Sequence, residues 1–248
     1  MKNLCDYHVH TTFSDGKNTP EEVIKAAIEK GMAEIGISDH SYTDFDESYC
    51  IKRDKIEEYK QEIARLKAKY QGKIKILCGI EQDFYSEEST KDYDYVIGSV
   101  HYVKVGGKFY SVDESAEIFG AIGRDVFGGD YIAFAEEYFN TVSKLSERKD
   151  IDIIGHFDLI TKFNENNRYF DENNARYVAA WQKAADKLLS TNKPFEINMG
   201  AISRGYKTEP YPSAAIRTYI KDKGGKFILS SDSHSAENIC YYFDKIKI

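Results

Sequence analysis

Leu4-Cys5-Asp6-Tyr7-His8-Val9-His10 is the stretch on which the reading of the fold turns. Residues 3–9 read as a short buried β-strand that runs into two histidines two positions apart. Side chains alternate along a strand, so both imidazoles leave on one face. Two neutral imidazoles on one rigid element make half of a metal site. Taken alone, an H-x-H pair fits two histidines that bind nothing equally well.

Working outward, the same event recurs. Ile35-Gly36-Ile37-Ser38 is a second strand that ends in Asp39-His40. A third strand over 73–80 ends at Glu81, and a fourth over 95–100 ends at His101. The fifth, 151–155, ends at His156. The sixth covers 195–198, and the seventh, 227–230, is followed by Ser231-Asp232-Ser233-His234. Helices separate the strands. Thr19-Pro20-Glu21-Glu22 is a helix start, with a capping threonine, a proline at the first turn and Glu22 completing a capping box. Ile56, Tyr59, Ile63, Leu66 and Tyr70 recur at spacings of three and four, which predicts a long amphipathic helix. Further helices are predicted over 133–149, 172–191 and 213–223. The segment 102–130 carries Gly106-Gly107 and Gly128-Gly129 and reads as a functional loop or lid, or as a hairpin and surface excursion.

Short apolar strands alternating with helices predict a parallel sheet covered on both sides. No linker, repeat or low-complexity stretch divides the chain. Residues 1–248 are therefore expected to form one α/β domain, a barrel of seven strands. An open doubly wound sheet is the alternative, but no G-x-G-x-x-G follows a strand.

Composition excludes several roles. An apolar content of 42% with 30% charged residues is that of a soluble globular protein. The net charge is −7 with no Lys/Arg block, so binding to nucleic acid or an anionic membrane is not expected. No apolar run approaches the ~20 residues of a membrane helix, and the N-terminus lacks the form of a signal peptide. A cytoplasmic protein is expected. Cys5, Cys50, Cys78 and Cys240 form no C-x-x-C pair and read as small buried hydrophobes.

All six histidines, His8, His10, His40, His101, His156 and His234, lie at or just past the end of a predicted strand. Asp6, Asp39, Glu81 and Asp232 join them, with Asp15 in the first loop. In a parallel barrel these ends open on one face. The candidates outnumber the ligands of one ion, so two or three ions with a bridging carboxylate are implied. Mixed His/Asp/Glu ligands without thiolates suit Zn, Mn or Fe.

Asp6-x-His8-x-His10, Ser14-Asp15-Gly16, Asp39-His40, Glu81, Gly98-Ser99-Val100-His101, Gly155-His156 and Asp232-Ser233-His234 together resemble the ordered motifs of the PHP (polymerase and histidinol phosphatase) family. The match runs from the first strand to the last, and looks most like the family's stand-alone histidinol-phosphate phosphatases. The resemblance implies a distorted, TIM-like seven-stranded (β/α) barrel with three divalent metal ions. His8, His10, Glu81 and Asp232 would hold the first ion. Glu81 would bridge to a second, held also by His101 and His156. Asp15, His40 and His234 would hold the third.

It further implies a phosphomonoesterase that hydrolyses L-histidinol phosphate in histidine biosynthesis, by attack of a metal-bridging hydroxide. Asp232 or His234 is the expected proton donor to the leaving alcohol. Arg204, in Gly200-Ala201-Ile202-Ser203-Arg204-Gly205, stands where family members similarly place a phosphate-binding arginine. Lys162 is a second candidate, and Arg124, in the glycine-rich segment, a third that could descend with a lid. Asp44, Asp46, Asp113, Tyr102 and Tyr110 are available for the organic end of the substrate, and the pattern singles out none. Two rivals share much of the pattern: a PHP phosphoesterase acting on a nucleotide, a phosphotyrosine peptide or a DNA end, and an amidohydrolase-type C–N hydrolase. A metal-binding regulatory domain is a third, and it would need the ligands without a substrate pocket.

Overall fold

In the computed structural model, which describes residues 4–246, the chain runs β1 (Cys5–Asp6), α1 (Pro20–Glu29), β2 (Glu34–Ile37), α2 (Ile56–Lys69), β3 (Lys75–Asp83), β4 (Tyr95–Ser99), β5 (Tyr102–Val105), β6 (Lys108–Ser111), α3 (Ala116–Asp125), α4 (Tyr131–Lys144), β7 (Ile153–Ile154), α5 (Ala175–Leu189), β8 (Phe195–Asn198), α6 (Gly200–Ser203), α7 (Ala214–Asp222) and β9 (Phe227–Ser230). Seven strands pair in parallel in the order β1-β2-β3-β4-β7-β8-β9. The ring closes through a parallel bridge between Val9 and Ser233, where His10 N donates to Ser233 O at 2.8 Å and Ser233 N to His8 O at 3.2 Å. This is the expected distorted seven-stranded barrel. No helix among the described residues is long and apolar enough to cross a membrane.

Local signals account for the elements. Thr19 Oγ1 accepts from Glu22 N at 3.3 Å and Glu22 Oε2 accepts from Thr19 N at 2.8 Å, so the predicted capping box starts α1. In α2, Tyr59, Ile63 and Leu66 are buried, as their spacing predicts. Gly106 and Gly107 both have positive φ and join β5 to β6 in a two-residue hairpin. The segment 102–130 is thus this hairpin followed by α3, and not one lid loop.

Two strands differ from expectation in ways that matter for the site. Asn3, where the first strand was expected to begin, lies outside the described residues. At the other end β1 stops at Asp6, because side chains take over the donors beyond it. Val9 N donates to Ser38 Oγ at 3.2 Å and Thr11 N to Asp39 Oδ1 at 2.7 Å. In contrast β3 continues through Glu81 to Asp83, paired with β4 by Glu81↔Ile97 and Asp83↔Ser99. Glu81 is therefore a strand residue held by a backbone ladder on both sides, since it also bridges His40.

Alternation then sorts the faces. Ile76, Cys78 and Ile80 of β3 join the large apolar layer under the helices. Leu77 points the other way, into a small cluster with Tyr95, Ile97, Ile153, Tyr7 and Ile228 that plugs the ring. Glu81 shares Leu77's parity, and His101 shares that of Tyr95 and Ile97. Both lie above the plug, at the C-terminal end of the barrel.

Candidate metal centre

Glu81 is buried and surrounded by five histidines. Its Oε2 lies 2.7 Å from His40 Nδ1, 3.2 Å from His8 Nε2 and 3.6 Å from His10 Nε2. Its Oε1 lies 3.0 Å from His156 Nε2 and 3.3 Å from His101 Nε2. The sixth, His234, has Nε2 3.2 Å from Asp15 Oδ2. Asp232 Oδ1 lies 3.4 Å from His10 Nε2 and 3.9 Å from His8 Nε2. Every residue of the nine-member set expected from sequence is brought to this one place.

His156 Nε2 and Glu81 Oε1 pair with each other, but most of the converging donor atoms do not. His8 Nε2, both ring nitrogens of His10, His40 Nδ1 and Glu81 Oε2 are buried and make no hydrogen bond. Buried polar atoms are costly when unpaired. Nitrogen and oxygen donors gathered around a cation at about 2.0–2.2 Å would stand in this way, with lone pairs aimed at a common point rather than at each other. Among the described residues, three overlapping groups have donor atoms within 4.8 Å of one another: His8, His10 and Asp232; His40, Glu81 and His101; and His10, Asp15, His40 and His234. The residues therefore fit divalent ions. The grouping is more shared than expected. His10 also faces the third group, and His40 stands on Glu81.

Charge on the candidate ligands follows from the packing. Burial pushes the Glu81 carboxyl up, but His8, His40 and His101 together hold it well below the usual range. Burial likewise opposes ionisation of Asp232, and Arg204 and His8 overcome it and hold the carboxylate well below normal. Burial, with repulsion from His234 and His40, drives His10 well down and keeps it neutral, the form that binds metal.

Backbone geometry supports two of these placements. Asp232 has φ 49°, in the left-handed region that a non-glycine residue seldom occupies. Gly16 explains the glycine of Ser14-Asp15-Gly16: a Cβ there would stand 2.5 Å from His10 C. The first loop can fold over His10 only without a side chain.

Outside the nine, Glu196 holds His8 and Asp83 holds His101, and the sequence reading missed both. Glu196 Oε1 lies 2.7 Å from His8 Nδ1, while Oε2 accepts from His156 N at 3.0 Å and Asn198 Nδ2 at 3.1 Å. Asp83 Oδ2 lies 3.2 Å from His101 Nδ1 and accepts from His101 N at 3.1 Å. A carboxylate on the far ring nitrogen fixes the tautomer and turns the near one to the metal. Asp6 and Asp39 are spent on the frame. Asp6 accepts from Ser231 N and Cys240 N, and Asp39 from Thr11 N and Thr11 Oγ1.

The centre floors a cleft of about 460 Å³, a size that suits a small metabolite. Arg204 lines it, with Nη2 3.1 Å from Asp232 Oδ2 and Nη1 2.9 Å from His234 Nδ1. His234 Nδ1 also stands 3.1 Å from Asp232 O. It can accept from Arg204 or donate to that carbonyl, but not both. Lys162 lines the cleft too, with Nζ on Asp113 O at 2.7 Å and Asp113 Oδ2 at 3.1 Å. Arg124 is the correction. It stands exposed in the last turn of α3, outside the cleft lining, because the expected lid is a helix there. Of the acids and tyrosines available for the organic end, Asp46, Asp113 and Tyr102 line the cleft, and Asp44 and Tyr110 do not.

Comparison with known proteins agrees with this geometry. The PHP domain family model matches residues 6–216. A histidinol-phosphatase of Lactococcus lactis subsp. lactis is 30% identical over 267 residues, which cover 96% of this chain and 86% of that one. A crystal structure of histidinol phosphate phosphatase from the same subspecies, complexed with Zn, L-histidinol and phosphate, aligns with a TM-score of 0.67 at 25% identity, covering 94% of this chain and 86% of that chain. A structure from Listeria monocytogenes shares the fold with a TM-score of 0.84 at 20% identity, covering 98% and 100% of the two chains.

Proposed function

The chain belongs to the PHP domain family, and on that footing we propose that it is a metal-dependent phosphomonoesterase that hydrolyses L-histidinol phosphate to L-histidinol and phosphate. One observation carries the reading: unsatisfied histidine and carboxylate atoms converge on Glu81 at the floor of a cleft that Arg204 also lines. We take the nine residues His8, His10, Asp15, His40, Glu81, His101, His156, Asp232 and His234 as ligands of three divalent ions, Zn, Mn or Fe, in one PHP-type domain of a cytoplasmic enzyme. Glu81 offers one oxygen to His8, His10 and His40 and the other to His101 and His156, which suits it to bridge two ions. Such ions lower the pKa of bound water and offset charge on phosphoryl oxygens.

The chain's own groups do the rest. Arg204 presents a planar fork of donors beside the ligands, which matches a phosphate monoester dianion. Lys162 adds a point charge already shared with Asp113. As the P–O ester bond breaks, the alcohol must gain a proton. Asp232 is held ionised by Arg204 and His8 and serves as an acceptor and ligand. His234 can supply that proton only through Nδ1–H, in the arrangement where Nδ1 faces Asp232 O and does not accept from Arg204, because its Nε2 is taken as a metal donor. The histidine neighbours of Glu81 set the site apart from an amidohydrolase built around a metal-bridging lysine.

Phosphate release from L-histidinol phosphate, a nucleotide, a phosphotyrosine peptide and phenyl phosphate tests the reading. L-Histidinol phosphate is expected to have the highest kcat/KM. Turnover no faster than that of phenyl phosphate would overturn the substrate assignment.

A further inference from the structure

The carboxylates along the cleft are not equivalent. Asp15 and Asp232 belong with the metal donors. Asp113 is partnered by Lys162, and Glu114 stands at the exposed rim. Asp46 differs from all of these. Ser48 N and Ser48 Oγ donate to its Oδ1 at 2.9 and 2.6 Å, and Tyr102 Oη to its Oδ2 at 2.7 Å. All three donors are neutral. Among the described residues no cation stands within 4.0 Å of it, and its neighbour Lys52 is engaged with Glu47. Partial burial opposes its ionisation, but the Ser48 and Tyr102 donors outweigh that and hold its pKa below the ordinary value. An oriented negative charge is thus turned toward the cleft with no cation in contact with it among the described residues, Lys52 acting on it only from beyond ion-pair distance.

An aromatic face links it to the metal donors. The Tyr49 ring packs edge-on to His40 at 4.9 Å between centroids, and lies 6.1 Å from both His101 and Tyr102. The loop that carries Asp46 is also fixed. Phe45 stacks on Phe109 of β6 at 3.9 Å and meets Tyr102 of β5 edge-on at 4.9 Å. Asp46 and Tyr49 therefore occupy the His40–His101 side of the cleft, and Arg204 the Asp232–His234 side.

We infer that Asp46, backed by Tyr49 and Tyr102, is the subsite for the cationic end of the leaving group. This rests on the phosphatase reading above. L-Histidinol phosphate carries an ammonium on the carbon next to the ester carbon, so a group bound just beside the reacting phosphate meets it. The ammonium donates to Asp46 in charge-assisted hydrogen bonds, and the tyrosine rings face the imidazole. Asp46 thus sets the preference for amino-alcohol phosphates over neutral esters.

The test compares L-histidinol phosphate with phenyl phosphate on metal-reconstituted enzyme of measured metal content. Asp46→Asn is expected to lower the kcat/KM ratio between the two esters about tenfold to hundredfold, chiefly through KM for L-histidinol phosphate. Calorimetry with the product L-histidinol is expected to weaken by a similar factor. Tyr102→Phe, which keeps the ring and removes one donor to Asp46, shifts both in the same direction by a few-fold. Glu114→Gln leaves the ratio within about twofold. An unchanged ratio in Asp46→Asn, or a loss in Glu114→Gln instead, overturns the inference while the phosphatase reading stands. A wild-type enzyme with no preference for L-histidinol phosphate overturns both.

Discussion

Glu196 Oε1 lies 2.7 Å from His8 Nδ1, with both side chains fully buried. The other oxygen of the same carboxylate accepts the backbone N–H of His156. One strand residue on β8 thereby sets the ring of a donor beyond β1 and the backbone of a donor beyond β7. Glu196→Gln keeps the shape but turns an amide N–H toward His156 N or His8 Nδ1. Metal affinity is expected to fall about 10- to 100-fold, as read by competition with a chromophoric chelator, with the far-ultraviolet circular dichroism retained. Unchanged affinity would reduce Glu196 to a packing residue.

Arg204 touches both Asp232 and His234, so its role has two separable parts. If its fork binds phosphate, Arg204→Lys weakens competitive inhibition by inorganic phosphate about tenfold and raises KM for phosphate esters in parallel, because a point charge loses the bidentate geometry. If it only offsets the charge of Asp232, metal content falls and phosphate inhibition of the loaded fraction stays as it was. Inhibition constants measured beside metal content distinguish the two.

The barrel and the convergence of the candidate donor residues were legible for one physical reason. In a parallel α/β barrel, functional side chains collect where strands end, and every histidine followed a strand that its apolar run had already marked. Glu81 was found in the same way, although the strand runs two residues past it. Glu196 and Asp83 were not found, because their partners are fixed by sheet order. His8 and Glu196 are 188 positions apart, and no local spacing pairs them. A charged residue inside the apolar run Phe195-Glu196-Ile197 was the available signal. Arg124 was misplaced because the segment 102–130 was read by Gly106-Gly107 and Gly128-Gly129, whereas the residues between them include the helix α3, which carries Arg124 in its last turn. The distinction between Asp46 and Asp113 lies wholly in partners, neutral for one and cationic for the other.

A surface pair gives a pH-dependent check on the fold alone. Arg148 Nε and Nη2 donate to the two oxygens of Asp150 at 2.8 and 2.7 Å, and Thr90 Oγ1 adds a third bond that ties the β3–β4 side of the barrel to the start of β7. The Arg148 bonds hold the Asp150 carboxyl below its ordinary value. A lowered native pKa adds stability that is present above the unfolded-state pKa of about 4 and is lost as pH falls through the native one. Both side chains are partly exposed, so Asp150→Asn is expected to cost only about 0.5–1 kcal/mol at pH 7. Denaturant melts across pH should show that difference shrinking toward zero in acid. A constant difference across the range would contradict the ion-pair account.

On the proposed function, Glu81 organises a metal centre that performs phosphate ester hydrolysis. Elemental analysis of purified Glu81→Gln, with phosphate release from L-histidinol phosphate measured on the same sample, tests it most directly. The amide cannot offer two anionic oxygens to the histidines around it. The variant is expected to lose at least one bound ion per chain relative to wild type and to fall in kcat by about 10³-fold or more, with the wild type reaching the same low activity after chelation. A variant that keeps the wild-type metal content and turns over L-histidinol phosphate at the wild-type rate would contradict it.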